Sequence, residues 1–397
     1  MNKRLLCGLC ATFVSGHALG QSLAFELTDR LRGPAPSSAA IESRHLRVNA
    51  SVLSSETTDL RVPLFDREVV ARRTFSEQRD NGTLTWQGHV DGDFEQQVSL
   101  TFDGEHLAGY ISAVDGVYEI TPTANGNVLM HIDTERFPPC GGAVPVLAGP
   151  DGAQTKLAGV SKGAANEMDV LVVFSPGSLA QLGNQAAAQT FAQQAVDSAN
   201  LSYTNSQMTS RMRLAGVRFT SRADSGSSST DLTWVRNDAE VASWRNEVGA
   251  DMVGMISAFS NACGQGYLMS TPGSGFAPSA FQVTARNCAI GNLSYAHEHG
   301  HNMGMMHNPE AGGSGAYPYA YGHFVSGSYR TVMSYADSCV GGCTRRPYFS
   351  NPNVVFMGQP TGIANQRDNA RVGNQTAPIV AQFRSGRPDA IFSATFE

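Results

Sequence analysis

The stretch from Ala296 to His307, AHEHGHNMGMMH, holds four of the chain's ten histidines together with one carboxylate. Imidazoles gathered this densely point to metal binding, and the local secondary structure decides which of them can meet. On a strand, side chains alternate, so His297, His299 and His301 share one face. On a helix, His297 and His301 lie one turn apart and about 40° out of line, while His299 falls roughly on the opposite side. The flanking residues favour the helix. Asn292 or Ser294 offers an N-cap, and Leu293, Ala296 and Met303 supply apolar contacts over about three turns.

A helical pair at i and i+4 is a spacing that lets two imidazoles bind one ion. Glu298 then lies about 100° round from His297, beside the ligand row without occupying it, where a base acting on water at the metal is needed. A catalytic zinc site takes three protein ligands and keeps its fourth position open. A continued helix would carry His307 away from the row. Gly304 allows a positive φ that ends the helix and turns the chain so that His307 approaches as third ligand. The pattern is therefore H-E-x-x-H-x-x-G-x-x-H. A structural site would close all four positions, often with cysteine, and no cysteine lies within the stretch. His299 is expected to face away from the cluster, and His323 has no partner spacing.

With Met333 in the following TVMSY, this motif resembles the metzincin zinc endopeptidases, and within them the reprolysin-like peptidases of bacterial type, over roughly residues 166–385. The resemblance implies an α/β (α+β) catalytic domain with a mixed twisted sheet and an active-site helix. It implies one catalytic Zn2+ held by His297, His301 and His307, with Glu298 as general base and Met333 packed beneath the metal. Tyr335 resembles a tyrosine that serralysins and astacins use to touch zinc or steady the oxyanion, and a packing role for it stands equally open. GYLMS, Gly266 to Ser270, is implied as the edge strand that pairs with substrate backbone. Asn308 departs from the Asp usual in animal reprolysins. No residue pattern supports calcium, which is left open.

The segment FPPCGGAVP, containing Cys140, resembles the cysteine switch of metzincin proenzymes. Its thiolate would fill the fourth position of the ion in a latent form, making the preceding residues an intramolecular inhibitor. The cysteine count agrees. Of seven cysteines, Cys7 and Cys10 fall in an N-terminal stretch with the layout of a secretory signal peptide, Lys3 and Arg4 before LLCGLCATFV. Five then remain in an oxidising compartment. Nearness in sequence pairs Cys263 with Cys288 and Cys339 with Cys343, leaving Cys140 unpaired.

The rest of the chain must carry and position these groups. Its 397 residues suggest two domains. Short runs such as RVPLFDREVV, TLTWQGHV and GVYEITPT, separated by DNG, DGD and NGN, read as a β domain without catalytic residues. Residues after Phe137 read as a linker with exposed Lys156 and Lys162. Then strands and helices alternate: EMDVLVVFSP, a long helix over 179–206, MRLAGVRFTS, a helix over 231–249, and ADMVGMISAFS. The expected division is a signal peptide 1–20, a β-rich prodomain 21–136, a cysteine-switch segment and linker 137–165, a catalytic domain 166–385 and a tail 386–397.

The net charge of −6 and scattered basic residues give no sign of a nucleic-acid surface, and no run reaches the roughly 18 apolar residues of a membrane span. The expectation is a latent, secreted (extracellular or periplasmic) zinc endopeptidase acting on polypeptides. The alternative is an exported zinc-binding adhesion or scaffold module without turnover, against which the presence of Glu298 counts.

Overall fold

The computed structural model describes residues 22–31, 33–90, 92–146 and 165–384. The expected signal peptide, Lys156 and Lys162 of the linker, and the C-terminal tail lie outside them. Among the described residues no helix is long and apolar enough to cross a membrane.

Runs rich in β-branched and aromatic residues between Gly-containing turns form strands where one face can be buried. Ten such strands make the N-terminal sheet: β1 (Ser22–Leu23), β2 (Phe25–Arg30), β3 (Ala40–Val48), β4 (Asp59–Leu64), β5 (Arg67–Gln78), β6 (Leu84–Val90), β7 (Asp93–Phe102), β8 (Leu107–Ala113), β9 (Gly116–Thr123) and β10 (Gly126–Ile132). Their order is β1-β4-β5-β6-β7-β8-β9-β10-β3-β2. The outermost strands are separated in the chain by Ala24 alone, so the sheet curls until its margins adjoin. Ala24 stitches them: its N–H donates to Arg61 O at 2.8 Å and its carbonyl accepts from Asn49 N–H at 3.0 Å. Trp86, Leu100, Phe102 and Ile120 fill the interior. RVPLFDREVV, expected as one strand, is instead a hairpin turning at Phe65, whose φ is +47°. No Gly or Asn marks that turn, so pattern alone missed it.

The second sheet contains β11 (Val144–Val146), β12 (Glu167–Phe174), β13 (Arg211–Phe219), β14 (Met252–Ser257), β15 (Gly264–Met269) and β16 (Phe281–Ala285), in the order β11-β15-β16-β14-β12-β13. Strands β12, β13, β14 and β16 run parallel, and β15 is antiparallel to β16. The helices are α1 (Pro176–Leu182), α2 (Gln185–Asn205), α3 (Ser228–Asn237), α4 (Ala239–Glu247), α5 (Ser294–Asn302) and α6 (Asn369–Val380). Two expected helices are each broken. The first stops at Gly183, φ +103°, where a Cβ would come within 2.8 Å of Ala124 Cα, and Asn184 Oδ1 caps α2 by accepting Ala187 N–H at 2.8 Å. The second breaks at Asp238, whose side chain caps α4 at Val241 N–H. Both breaks use Asx capping inside a pattern that otherwise propagates.

Helix α2 lies between the two sheets. Fifteen of its twenty-one residues are buried, and its many alanines let both sheets approach closely. Asp197 on this helix joins the halves, accepting from Arg79, from the hydroxyls of Thr85 and Thr101, and from Gln193 Nε2. The main core cluster draws on both parts, with Tyr110, Val128 and Met130 packed alongside Phe191 and Val253. Disulfides join Cys263 to Cys288 and Cys339 to Cys343, with Cα separations of 5.4 and 6.0 Å, and Cys140 is free.

Glu119 of β9 is fully buried at the junction, its Oε2 accepting Gly291 N–H at 2.9 Å. Burial pushes its carboxyl up to about 7, although the Arg286 guanidinium opposes the rise. A carboxyl with a raised folded pKa binds its proton more tightly in the fold. Its stabilising contribution is therefore complete below about pH 4.5 and is lost as pH rises through 7. Glu119→Gln is expected to flatten this part of the stability profile of the full chain, measured as urea midpoints from about pH 5 to 8. An unchanged slope would assign the titration to another group.

Candidate metal centre

Helix α5 carries the first two histidines. Its N-cap is Leu293, in the left-handed region at φ +54° with no side-chain cap, and not Asn292 or Ser294. Asn292 Nδ2 instead donates to Ser294 Oγ at 3.0 Å, holding the entry turn from outside. Gly304 ends the helix at φ +86°, and Met305 N–H returns to Gly300 O at 2.9 Å. A Cβ at Gly304 would meet Ala316 Cβ at 2.6 Å and Met269 O at 3.0 Å, so both space and backbone require glycine there.

The turn brings His307 back as the spacing anticipated. His297 Nε2 and His307 Nε2 lie 3.2 Å apart. The ring of His301 stands edge-on to both, with centroids at 4.9 and 4.7 Å. Cys140 Sγ completes a group whose four ligand atoms all lie within 4.8 Å of one another. His299 points the other way, to Gln282 Nε2 at 3.3 Å and edge-on to Tyr295. His323 stays outside the group.

Neighbouring carbonyls fix the tautomers. His297 Nδ1 is 2.8 Å from Val332 O, and His301 Nδ1 is 2.9 Å from Met305 O. A carbonyl can only accept, so each Nδ1 carries the proton and each Nε2 presents its lone pair to the centre. His301 Nε2 is buried without any hydrogen-bond partner. Converging buried lone pairs repel and are desolvated unless a cation sits between them. This donor set of three imidazoles and one thiol therefore fits a metal ion of borderline softness. Burial and the mutual repulsion of the rings hold His297 and His307 well below the usual imidazole range, and burial takes His301 down to about 4. The rings are accordingly neutral and free to ligate.

Glu298 is fully buried, and neither carboxylate oxygen has a well-formed hydrogen bond. Burial pushes its carboxyl up to about 8. It lies against β15, where Gly264 leaves the room: a Cβ there would meet Glu298 Cγ at 2.6 Å. Met333 is fully buried beneath α5, and a Cβ on Gly300 would come within 2.5 Å of its sulfur. Tyr335 packs its ring 4.0 Å from that of His307, close enough to Cys140 to act on its thiol. Asn308 binds the methionine turn, its Oδ1 accepting from Tyr335 N–H at 2.9 Å and Ser334 Oγ at 3.2 Å. The sequence marked Asn308 only as a departure; its position directly after His307 was the available signal for this tether.

The segment around Cys140 is held by backbone pairing. Cys263 N–H donates to Pro139 O at 2.9 Å and Gly141 N–H to Gly264 O at 2.7 Å. Strand β11 then runs parallel along β15, with Val144 opposite Tyr267 and Val146 opposite Met269. The outer edge of β15 is therefore covered by the chain's own N-terminal part. Burial, followed by the Glu298 carboxylate, pushes the Cys140 thiol well above its ordinary range.

Residues 164–350 match the reprolysin-type family model described as metallo-peptidase family M12. A protein of Stenotrophomonas maltophilia (strain R551-3) named peptidyl-Asp metalloendopeptidase is 31% identical over 378 residues, covering 88% of each chain. One of the same name from Xanthomonas campestris pv. campestris is 30% identical over 398 residues, covering 94% of this chain and 93% of its own.

The ligand assignment is open to calorimetry. The full chain, dialysed against chelator, is expected to take up one zinc ion, with His297→Ala, His301→Ala and His307→Ala each weakening uptake by roughly a hundredfold or more. His299→Gln is expected to stay within a few-fold of the parent. Equal losses at all four positions would mean that the cluster is held by folding rather than by ligation.

Proposed function

The chain belongs to metallopeptidase family M12 and is a metalloendopeptidase; from that premise we propose that it is a secreted zinc enzyme, made as a latent precursor, that cuts polypeptides next to aspartate. The aspartate preference is taken from the names of its relatives. The observation that supports the site assignment is the pair of Nδ1–H to carbonyl bonds that aims Nε2 of His297 and His301 at the point His307 also faces.

His297, His301 and His307 would hold the zinc ion. Bound there, zinc supplies Lewis acidity that polarises the scissile carbonyl and acidifies water. Glu298 acts as general base. Its buried carboxylate, touched in this form by the Cys140 thiol alone among hydrogen-bonding side chains, accepts a proton from the attacking water once that thiol has left and returns it to the leaving amine nitrogen. A carboxyl pushed upward by burial is suited to both halves of that transfer. Tyr335, packed against His307, would steady the developing oxyanion with its hydroxyl, and Met333 sets the floor under the helix through packing.

In the precursor, residues 21–136 form the prodomain and 137–165 the switch segment and linker, ahead of a metzincin-like catalytic domain 166–385. Cys140 Sγ would take the fourth ligand place. Strand β11 would take the β15 edge that a substrate backbone needs. Latency on this reading has two components, one at the ion and one along the strand. The alternative of a binding module without turnover loses its ground, because the family is one of peptidases.

Two substitutions test the assignments. Glu298→Gln is expected to lower kcat on casein by at least about a thousandfold while zinc content, measured on the same sample, stays at that of the parent; retained activity would remove Glu298 as base. Cys140→Ala in the full chain is expected to give cleavage of substrate, or of the chain itself, before any trimming. Silence of that variant would count against the switch.

A further inference from the structure

Beside Glu298 and His297 lies a cavity of about 260 Å³ whose walls include Arg330 and Arg345, with Thr134 and Cys140 closing it from the N-terminal side. The two arginines are 3% and 5% exposed. The half-buried Arg213 and Arg222 meet carboxylates, Asp169 and Asp231, whereas the buried Arg245 and Arg346 rest on neutral oxygens. Among the described residues Arg330 and Arg345 form no such pair. Their N–H groups go to neutral acceptors: Arg330 to Cys343 O, Ser334 O and Thr134 O at 3.1, 3.1 and 3.2 Å, and Arg345 to Asn292 O at 2.9 Å and Ser334 O at 3.3 Å. The Nε of Arg345 is buried with no partner at all. Glu135 and Asp337 are exposed and reach Arg330 only through their field. Two adjacent buried cations in no ion pair, with only the field of Glu298 across the cavity acting on Arg345, are costly.

Thr134 supplies one acceptor to each in this form of the chain. Its carbonyl accepts from Arg330 Nη2, and its hydroxyl accepts from the Arg345 backbone N–H at 3.3 Å. Both acceptors belong to the part of the chain assigned above to the prodomain. When that part is withdrawn, Arg330 Nη2 and the Arg345 backbone N–H lose their acceptors on the wall of a cavity that adjoins the general base, beside the already unpartnered Arg345 Nε.

We infer that Arg345, backed by Arg330, forms the subsite that receives an acidic side chain of the substrate, with the Thr134 carbonyl holding the Arg330 side of it in the precursor. The inference rests on the endopeptidase reading. A carboxylate supplies the charge and the acceptors this wall lacks. Its amide isostere would turn N–H groups toward N–H groups and bring no charge, so discrimination comes from repulsion as well as attraction.

The test uses the full chain, activated by limited proteolysis within 147–164, on two peptides that differ only in Asp against Asn at the residue flanking the cut bond. The parent is expected to favour the Asp peptide. Arg345→Gln is expected to lower the Asp to Asn ratio of kcat/KM by about ten- to a hundredfold, mainly through KM. An arginine that merely holds Ser334 and Asn292 would depress both peptides alike, and an unchanged ratio would overturn the assignment. Should Arg345→Gln fail to fold, Arg345→Lys keeps the cation but not the planar fork; it is expected to lower the ratio several-fold, and no change there overturns the assignment equally. A parent enzyme that cuts both peptides alike defeats the subsite and the aspartate preference while sparing the zinc endopeptidase assignment. One that cuts no polypeptide defeats both.

Discussion

Two hydrogen bonds of ordinary strength, from His297 Nδ1 to Val332 O and from His301 Nδ1 to Met305 O, determine what the rest of the site can be. They select the tautomer, hold each ring at a fixed angle, and leave a lone pair on each Nε2 facing inward. Their acceptors come from different places. Met305 is reached by the Gly304 turn that also delivers His307, and Val332 precedes Met333 on the turn beneath the helix. The glycine bend and the methionine turn are therefore coupled through the same two imidazoles, and Asn308 ties them together again by its bonds to Ser334 and Tyr335.

Around this centre the polypeptide arranges neutral donors and acceptors where charges would otherwise stand unpaired. Glu298 is buried without a well-formed partner, and Arg345 has a free Nε a short way off across one cavity. Arg345 itself is held at about 10 by burial, with Cys140, Glu298 and Tyr335 opposing the fall. Such a site is expensive to fold, and the expense falls on the surroundings: a disulfide from Cys263 to Cys288 beside β15, a shared core with the N-terminal sheet, and carbonyls spent on guanidinium groups.

The N-terminal sheet contributes structure as well as cover. Its side chains pack into the same core as the second sheet, and α2 has no large free face because β7 and β8 lie on one side and β13 on the other. Asp197, Glu119 and Thr134 each mediate a polar junction between the halves. Separation of the two parts would expose apolar surface and strand these groups together, so covering of the site and stability of the whole chain share the same contacts.

The spacing of His297, Glu298, His301, Gly304 and His307 was sufficient by itself to predict which imidazoles converge and where the chain bends, because each depends on helical phase or on glycine's freedom, both local properties. The disulfide pairing was legible for a similar reason, since near cysteines close short loops. Breaks at Gly183 and Asp238, the Phe65 hairpin and the αL entry at Leu293 were not, because they answer to neighbours distant in sequence: Ala124 against Gly183 is one. The covering of the β15 edge by Val144–Val146, the role of Asn308 and the meeting of Arg330, Arg345 and Thr134 beside Glu298 were decided by the tertiary fold alone. Residues almost two hundred positions apart, Thr134 and Arg330, leave no local periodicity from which their contact can be read.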